Sequence, residues 1–440
     1  MVFAAISARG QAIDGFIASP DLWQTERAGF VEQHQEFGFH WLSIAHDRAE
    51  TQSKSVTLFS QPVYQVDAEF QGDALAAVTI SIYNRGDAGD ITREQMTALM
   101  ARSVVQLNAL TKAQYVDEGE ETSDAVRAHA FQWQTPVSTY LLEYSFTKEV
   151  KTRFIPFRAE FIRLRVTPAQ KPKSFMAEAL SSATPEAAFD GPSHVTRDPS
   201  GDVRIETVPM VDQGDKGYCV VATAERVMRY YGVPVDENEM AELANSSASE
   251  GTDGEAMFEA LQKLSQRLQI KVRSVERLDM RQLLELIGTY NRLARREHDP
   301  EIPAGGPVLD LGKIYSAMNP DLLRAAQTHN QAEVDRFQQL IQDQINAGIP
   351  IVWSVVMGIV PEQTTAASQV LWATVLGYVP VWAMAPGIGG HMRLIIGYNA
   401  ETKEILYSDP WGPGFELERM PVGDAWTITM SMDTIEPVGS

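Results

Sequence analysis

The chain has 440 residues, room for two or three domains, and its 44% apolar and 22% charged shares exclude a largely disordered protein. A formal charge of −21 opposes binding to a polyanion, whether nucleic acid or an acidic membrane surface. One cysteine excludes an internal disulfide and a multi-cysteine zinc site, so the expectation is no cofactor, no metal and no nucleic-acid partner.

The opening MVFAAISARGQAIDGF lacks a basic start followed by a long apolar run, so a signal peptide is not expected in it. The first third reads as a small α+β domain over residues 1–170. Val63 to Phe70 and Ala76 to Tyr83 alternate as strands do, with a turn at Gly72-Asp73. Ile91 to Leu110 keeps helical spacing through Met96, Leu99, Met100, Val104, Val105 and Leu107, with Thr92 at its start. Thr139 to Phe146 and Phe157 to Val166 are two further strands. His34, His40, His46 and His129 do not share a helix face with a carboxylate at metal-ligand spacing, so they read as structural. Residues 171–204, rich in proline, serine and alanine, read as a linker.

Strong patterning returns from Val203. In VPMVDQGDKGYCVVATAERVMRYYG, residues 208–232, the turn-rich Gly214 to Gly217 precedes a helix. Its buried face is Val220, Val221, Ala224, Val227, Met228 and Tyr231, and Gly232 and Pro234 end it. Cys219 therefore falls in the first turn. The unpaired N–H groups and dipole there stabilise a thiolate, which is the nucleophilic form. A free cysteine is also commonly a small buried hydrophobe, and the helix alone leaves both readings open. Gln213, six residues before the cysteine, shifts the balance, because its amide is placed to donate toward the same oxyanion as a backbone N–H.

Further on, Arg292 to Arg296 reads as a solvated helix face. Val370 to Ile388 is too rich in proline and glycine to span a membrane and reads as buried strand and loop. Met392 to Gly397 and Ile405 to Tyr407 form a hairpin, with His391 opening the first strand and Asp409 closing the second. Antiparallel pairing sets these two ends side by side, where a carboxylate fixes the imidazole tautomer. Trp411 is placed to cover that bond. Taken alone, Asp409-Pro410-Trp411-Gly412 is no more than a turn. His298 and His329 sit in polar stretches, which leaves His391 as the candidate base.

Gln213, Cys219, His391 and Asp409, in this order and these settings, resemble papain-like cysteine peptidases. Pro209, Gly390-His391, Gly397-Tyr398 and Asp409 to Gly412 point within them to the stand-alone relatives of bacteriocin leader peptidases. Asp253 to Leu264 as a helix and Ile349 to Val355 as a strand suit that family. The resemblance covers roughly residues 205–435. It implies an α+β fold: a papain-like peptidase domain over 205–440, with a helix-borne cysteine packed on an antiparallel sheet, behind the separate N-terminal domain. A mostly helical insertion spans 268–348, its best helices at Met280 to Leu293 and Asp335 to Ala347. It also implies a thiol-dependent peptidase or amidase acting on peptide or protein substrates, with catalytic residues Cys219, His391, Asp409 and Gln213. An acyltransferase on the same acyl-enzyme, or a silent binding module that retains the fold, stay open beside it. Family habit points to a secreted or periplasmic location. The transporter helices and Gly-Lys-Ser/Thr loop of leader peptidases proper do not occur in this sequence.

Overall fold

The computed structural model describes residues 11–42, 46–122, 127–147, 157–169, 189–213, 218–233, 235, 237–244, 246, 254–303, 311–360 and 390–438. The turn expected at 214–217, most of the linker and the Val370 to Ile388 stretch lie outside them. By contacts the chain divides into two compact units, each described by itself. The first comprises Met1–Thr184, Asp212–Val221 and Pro234–Ala260, and the second Pro185–Val211, Ala222–Val233 and Leu261–Ser440. The first unit thus takes two segments from the region that the sequence assigns to the peptidase domain.

The first unit is built on an antiparallel sheet of β1 (His40–Trp41), β2 (Arg48–Thr51), β3 (Gln65–Gln71), β4 (Ala74–Asn84), β5 (Val116–Thr122), β6 (Arg127–Gln134), β7 (Ser138–Thr147) and β8 (Arg158–Pro168). Their order is β1-β2-β3-β4-β8-β7-β6-β5. Helix α1 (Arg93–Thr111) starts at a capping box, Thr92 with Gln95, and covers one face through Met96, Met100 and Leu107. That face buries Val66, Val78, Ile80, Leu142, Ile162 and Leu164.

The opposite face is buried too, but around polar groups. Arg163, with 0% exposure, donates to Glu143 at 2.8 Å and to Glu239 at 2.8 Å. Glu239 comes from the helix Glu237–Leu243, whose Leu243 packs on Ala128, Ala130, Leu141 and Phe161. Ser145 donates to Glu242 on the same helix at 2.6 Å.

Helix α2 (Cys219–Tyr230) ends where Val233 N–H bonds back to the Met228 carbonyl at 2.9 Å, around Gly232 at φ +70°. The second unit's sheet has β9 (Val195–Arg197), β10 (Asp202–Ile205), β11 (Ile270–Arg277), β12 (Ile351–Val356), β13 (Gly390–Asn399), β14 (Glu404–Ser408), β15 (Glu418–Pro421) and β16 (Thr429–Pro437). The main path runs β9-β10-β13-β12-β16-β11, and β14 pairs with β13 and β15. The end of the segment read as a linker therefore carries two strands, with Val203 paired to Tyr398. The stretch read as a helical insertion likewise supplies β11, which pairs with β16, besides α3 (Met280–Glu297), α4 (Pro320–Gln327) and α5 (Gln331–Asn346).

Burial and the nearby Glu160 push the Glu242 carboxyl up to about 8, only partly offset by the Ser145 hydrogen bond. The native state thus keeps Glu242 protonated across a range where the unfolded chain ionises it, so stability falls as pH rises from about 4.5 to 8. Glu242→Gln removes this dependence. Thermal melts should show the variant gaining on the parent at pH 8 and not at pH 5, and parallel pH profiles for the two proteins would exclude the shift.

Candidate active site

His391 is the second residue of β13, and Asp409 directly follows β14. Antiparallel pairing sets Leu394 opposite Ser408, so the two neighbouring side chains converge at one end of the hairpin. His391 Nε2 lies 2.7 Å from Asp409 Oδ1, with the residues 8% and 1% exposed. An ionised carboxylate only accepts, so the ring proton sits on Nε2 and Nδ1 becomes the basic nitrogen.

The Asp-Pro-Trp-Gly turn folds Trp411 back over this pair. Asp409 N–H donates to the Phe415 carbonyl at 2.9 Å, Phe415 N–H to the Gly412 carbonyl at 3.2 Å, and Gly412 takes φ +83°. Trp411 stacks on His391 with centroids 4.9 Å apart and planes at 26°, and its own ring meets Phe415 edge-on. The indole thus shields the imidazole–carboxylate bond.

Two buried arginines compensate the carboxylate. Arg393 has 0% exposure, and its Nε lies 2.6 Å from Asp409 Oδ2. That approach is off the N–H axis, which makes it an ion pair rather than an aligned hydrogen bond. The guanidinium also lies over the rings of Tyr407 and Trp411, at 4.9 and 5.5 Å. Arg226, on α2, donates to the Pro209 carbonyl at 2.8 Å and to Ser408 Oγ at 2.5 Å. Burial pulls its guanidinium down to about 10, and the fields of Asp409 and Glu416 offset only part of that.

Both arginines are absent from the sequence-derived site. A signal existed for each: Arg393 is two residues from His391 on one strand, hence on the same face, and Arg226 is seven residues from Cys219, on the same side of the helix. Thr223 shares that side and donates to the Met392 carbonyl at 3.2 Å.

The structure therefore joins His391, Asp409 and Trp411 directly. Cys219 is the first residue of α2 and is partly exposed. Gln213 is buried, with 5% exposure. Both belong to segments of the first compact unit.

Arg393→Met strands the buried Asp409 without its ion pair, which should lower stability by about 3–5 kcal/mol. Adding Asp409→Asn should recover part of that loss. Urea midpoints for the two single variants and the double would measure the coupling, and additive losses would refute it.

A model of the Peptidase_C39 like family matches residues 205–427, just over half of the chain, a stretch that holds Gln213, Cys219, His391 and Asp409. No individual curated protein matches the chain. The chain belongs to the Peptidase_C39 like family, a cysteine-peptidase type of protein.

Proposed function

We propose that the protein is a thiol-dependent peptidase or amidase in which Cys219 attacks an amide carbonyl. The observation that carries this reading is the alignment of α2 with the hairpin. Thr223, one turn after Cys219, bonds the carbonyl next to His391. Arg226, two turns after it, bonds Ser408, next to Asp409. Helical spacing of four and seven residues turns Cys219 to this same side. Membership of a cysteine-peptidase family supports the same assignment.

In the proposed reaction Nδ1 of His391 takes the thiol proton while Asp409 holds Nε2–H. The Cys219 sulfur then bonds to the carbonyl carbon. The oxyanion is held by the Gln213 amide and by a backbone N–H at the α2 terminus, the part of a helix whose N–H groups lack intrahelical partners. His391 returns the proton to the leaving amine as the C–N bond breaks. Water, deprotonated by the same imidazole, hydrolyses the thioester.

A peptide-library cleavage assay tests this. Cys219→Ala should abolish cleavage, and His391→Ala should lower kcat by about 10²–10⁴-fold. Asp409→Ala should lower kcat more than Asp409→Asn, because the asparagine carbonyl still accepts from Nε2. Cleavage that persists in Cys219→Ala removes the mechanism.

A further inference from the structure

We infer that His40, Glu50 and Asp212, all in the first unit, form a site for one divalent transition-metal ion of the zinc kind. The strand register assembles it. His40 on β1 is the direct partner of Glu50 on β2, and Glu50 that of Asp67 on β3. Directly opposed residues share a face, so an imidazole and two carboxylates stand in a row across three strands. Asp212 adds a third carboxylate. One ligand atom from each of His40, Glu50 and Asp212 lies within 4.8 Å of the others, with His40 Nε2 to Asp212 Oδ2 at 4.0 Å.

Two observations separate this cluster from an ordinary acidic patch. His40 Nε2 is enclosed and has no hydrogen-bond partner, and 4.0 Å to Asp212 is too long for a hydrogen bond. Glu50 is 0% exposed, and among the described residues its oxygens accept from the side-chain amides of Gln52 at 2.8 Å and Gln65 at 3.0 Å, with the Arg48 guanidinium in a longer ion pair at 3.8 Å. Arg48 pairs more closely with Asp67 at 2.8 Å. Amide donors on a buried carboxylate are the outer partners that orient a metal ligand, and Arg48, at 3.8 Å, offsets only part of the cost of burying its charge.

A tetrahedral metal at about 2.0–2.2 Å from each ligand sets their atoms about 3.3–3.6 Å apart, a contraction of at most about 1.5 Å from the present spacing of within 4.8 Å. One imidazole with two carboxylates favours a first-row transition ion over calcium, which takes an all-oxygen shell. His40 read as structural from sequence, because helix-face spacing is blind to a partner on the next strand.

Asp212 directly precedes Gln213, and its own carbonyl accepts from Gln52 at 3.1 Å. A bound ion would pin this segment by its side chain as Gln52 pins it by the backbone. That consequence, unlike the site itself, rests on the oxyanion role proposed for Gln213.

The test uses the full chain carrying Cys219→Ala, which removes the one thiol and separates binding from catalysis. After chelator treatment, calorimetric titration with Zn²⁺ should give one equivalent bound. His40→Ala and Asp212→Asn should each weaken binding by about 100-fold. His129→Ala, which alters the exposed His129–Asp117 pair, should leave it unchanged. A Co²⁺ titration of the same chain gives a readout that needs no ligand variant: a saturable visible d–d band, displaced by Zn²⁺. No binding, binding that survives His40→Ala, binding lost in His129→Ala, or a featureless Co²⁺ spectrum would each overturn the site.

Discussion

A buried carboxylate governs the hairpin end of the second unit. Asp409 is 1% exposed, and an isolated charge at that depth is too costly to persist. Its charge is met on Oδ1 by the His391 ring, on Oδ2 by Arg393, and at longer range by Arg226. Meeting those partners fixes where β13 starts, where β14 stops and how α2 lies on the sheet, since Arg226 also bonds Ser408 and Pro209. Trp411 closes the arrangement by stacking on His391 and lying beside Arg393. His391, Asp409 and Trp411 are thus held by one electrostatic knot.

The N-terminal unit also includes the segment that carries Cys219, the proposed nucleophile. Tyr218, immediately before Cys219, donates its hydroxyl to Asn84 at the end of β4, and Asn84 in turn donates to Asn238. Gly86 fits beneath Tyr218 only because it has no Cβ; any side chain there would collide with the phenol ring. The buried triad of Arg163, Glu143 and Glu239 fastens the segment after α2 to the same sheet. These contacts lie within one compact unit that unites Met1–Thr184 with Asp212–Val221 and Pro234–Ala260.

Local pattern made some of this legible and could not reach the rest. The capping box at Thr92 and Gln95, the period of α1 and the hairpin that joins His391 to Asp409 are all encoded within about twenty residues, so each was readable. Arg393 and Arg226 were missed because charged residues are read as exposed by default, and only the assembled sheet shows what compensates them. Strands β10 and β11 were missed because their partners, at 397–399 and 431–437, are distant in sequence.

Arg393 also changes what Asp409 can do for the proposed catalysis. A lone carboxylate beside imidazole both orients the ring and stabilises its protonated form. With a permanent guanidinium on its other oxygen, Asp409 presents the ring with a pair of nearly zero net charge. Orientation through Nε2 survives, while much of the electrostatic pull on an imidazolium is cancelled. The burden of holding a thiolate then shifts toward the N-terminus of α2, whose dipole and N–H groups act on Cys219 irrespective of the hairpin. A helix terminus supplies a fixed field that no side-chain ionisation alters, so a nucleophile placed there does not require a strongly basic partner to reach its reactive form.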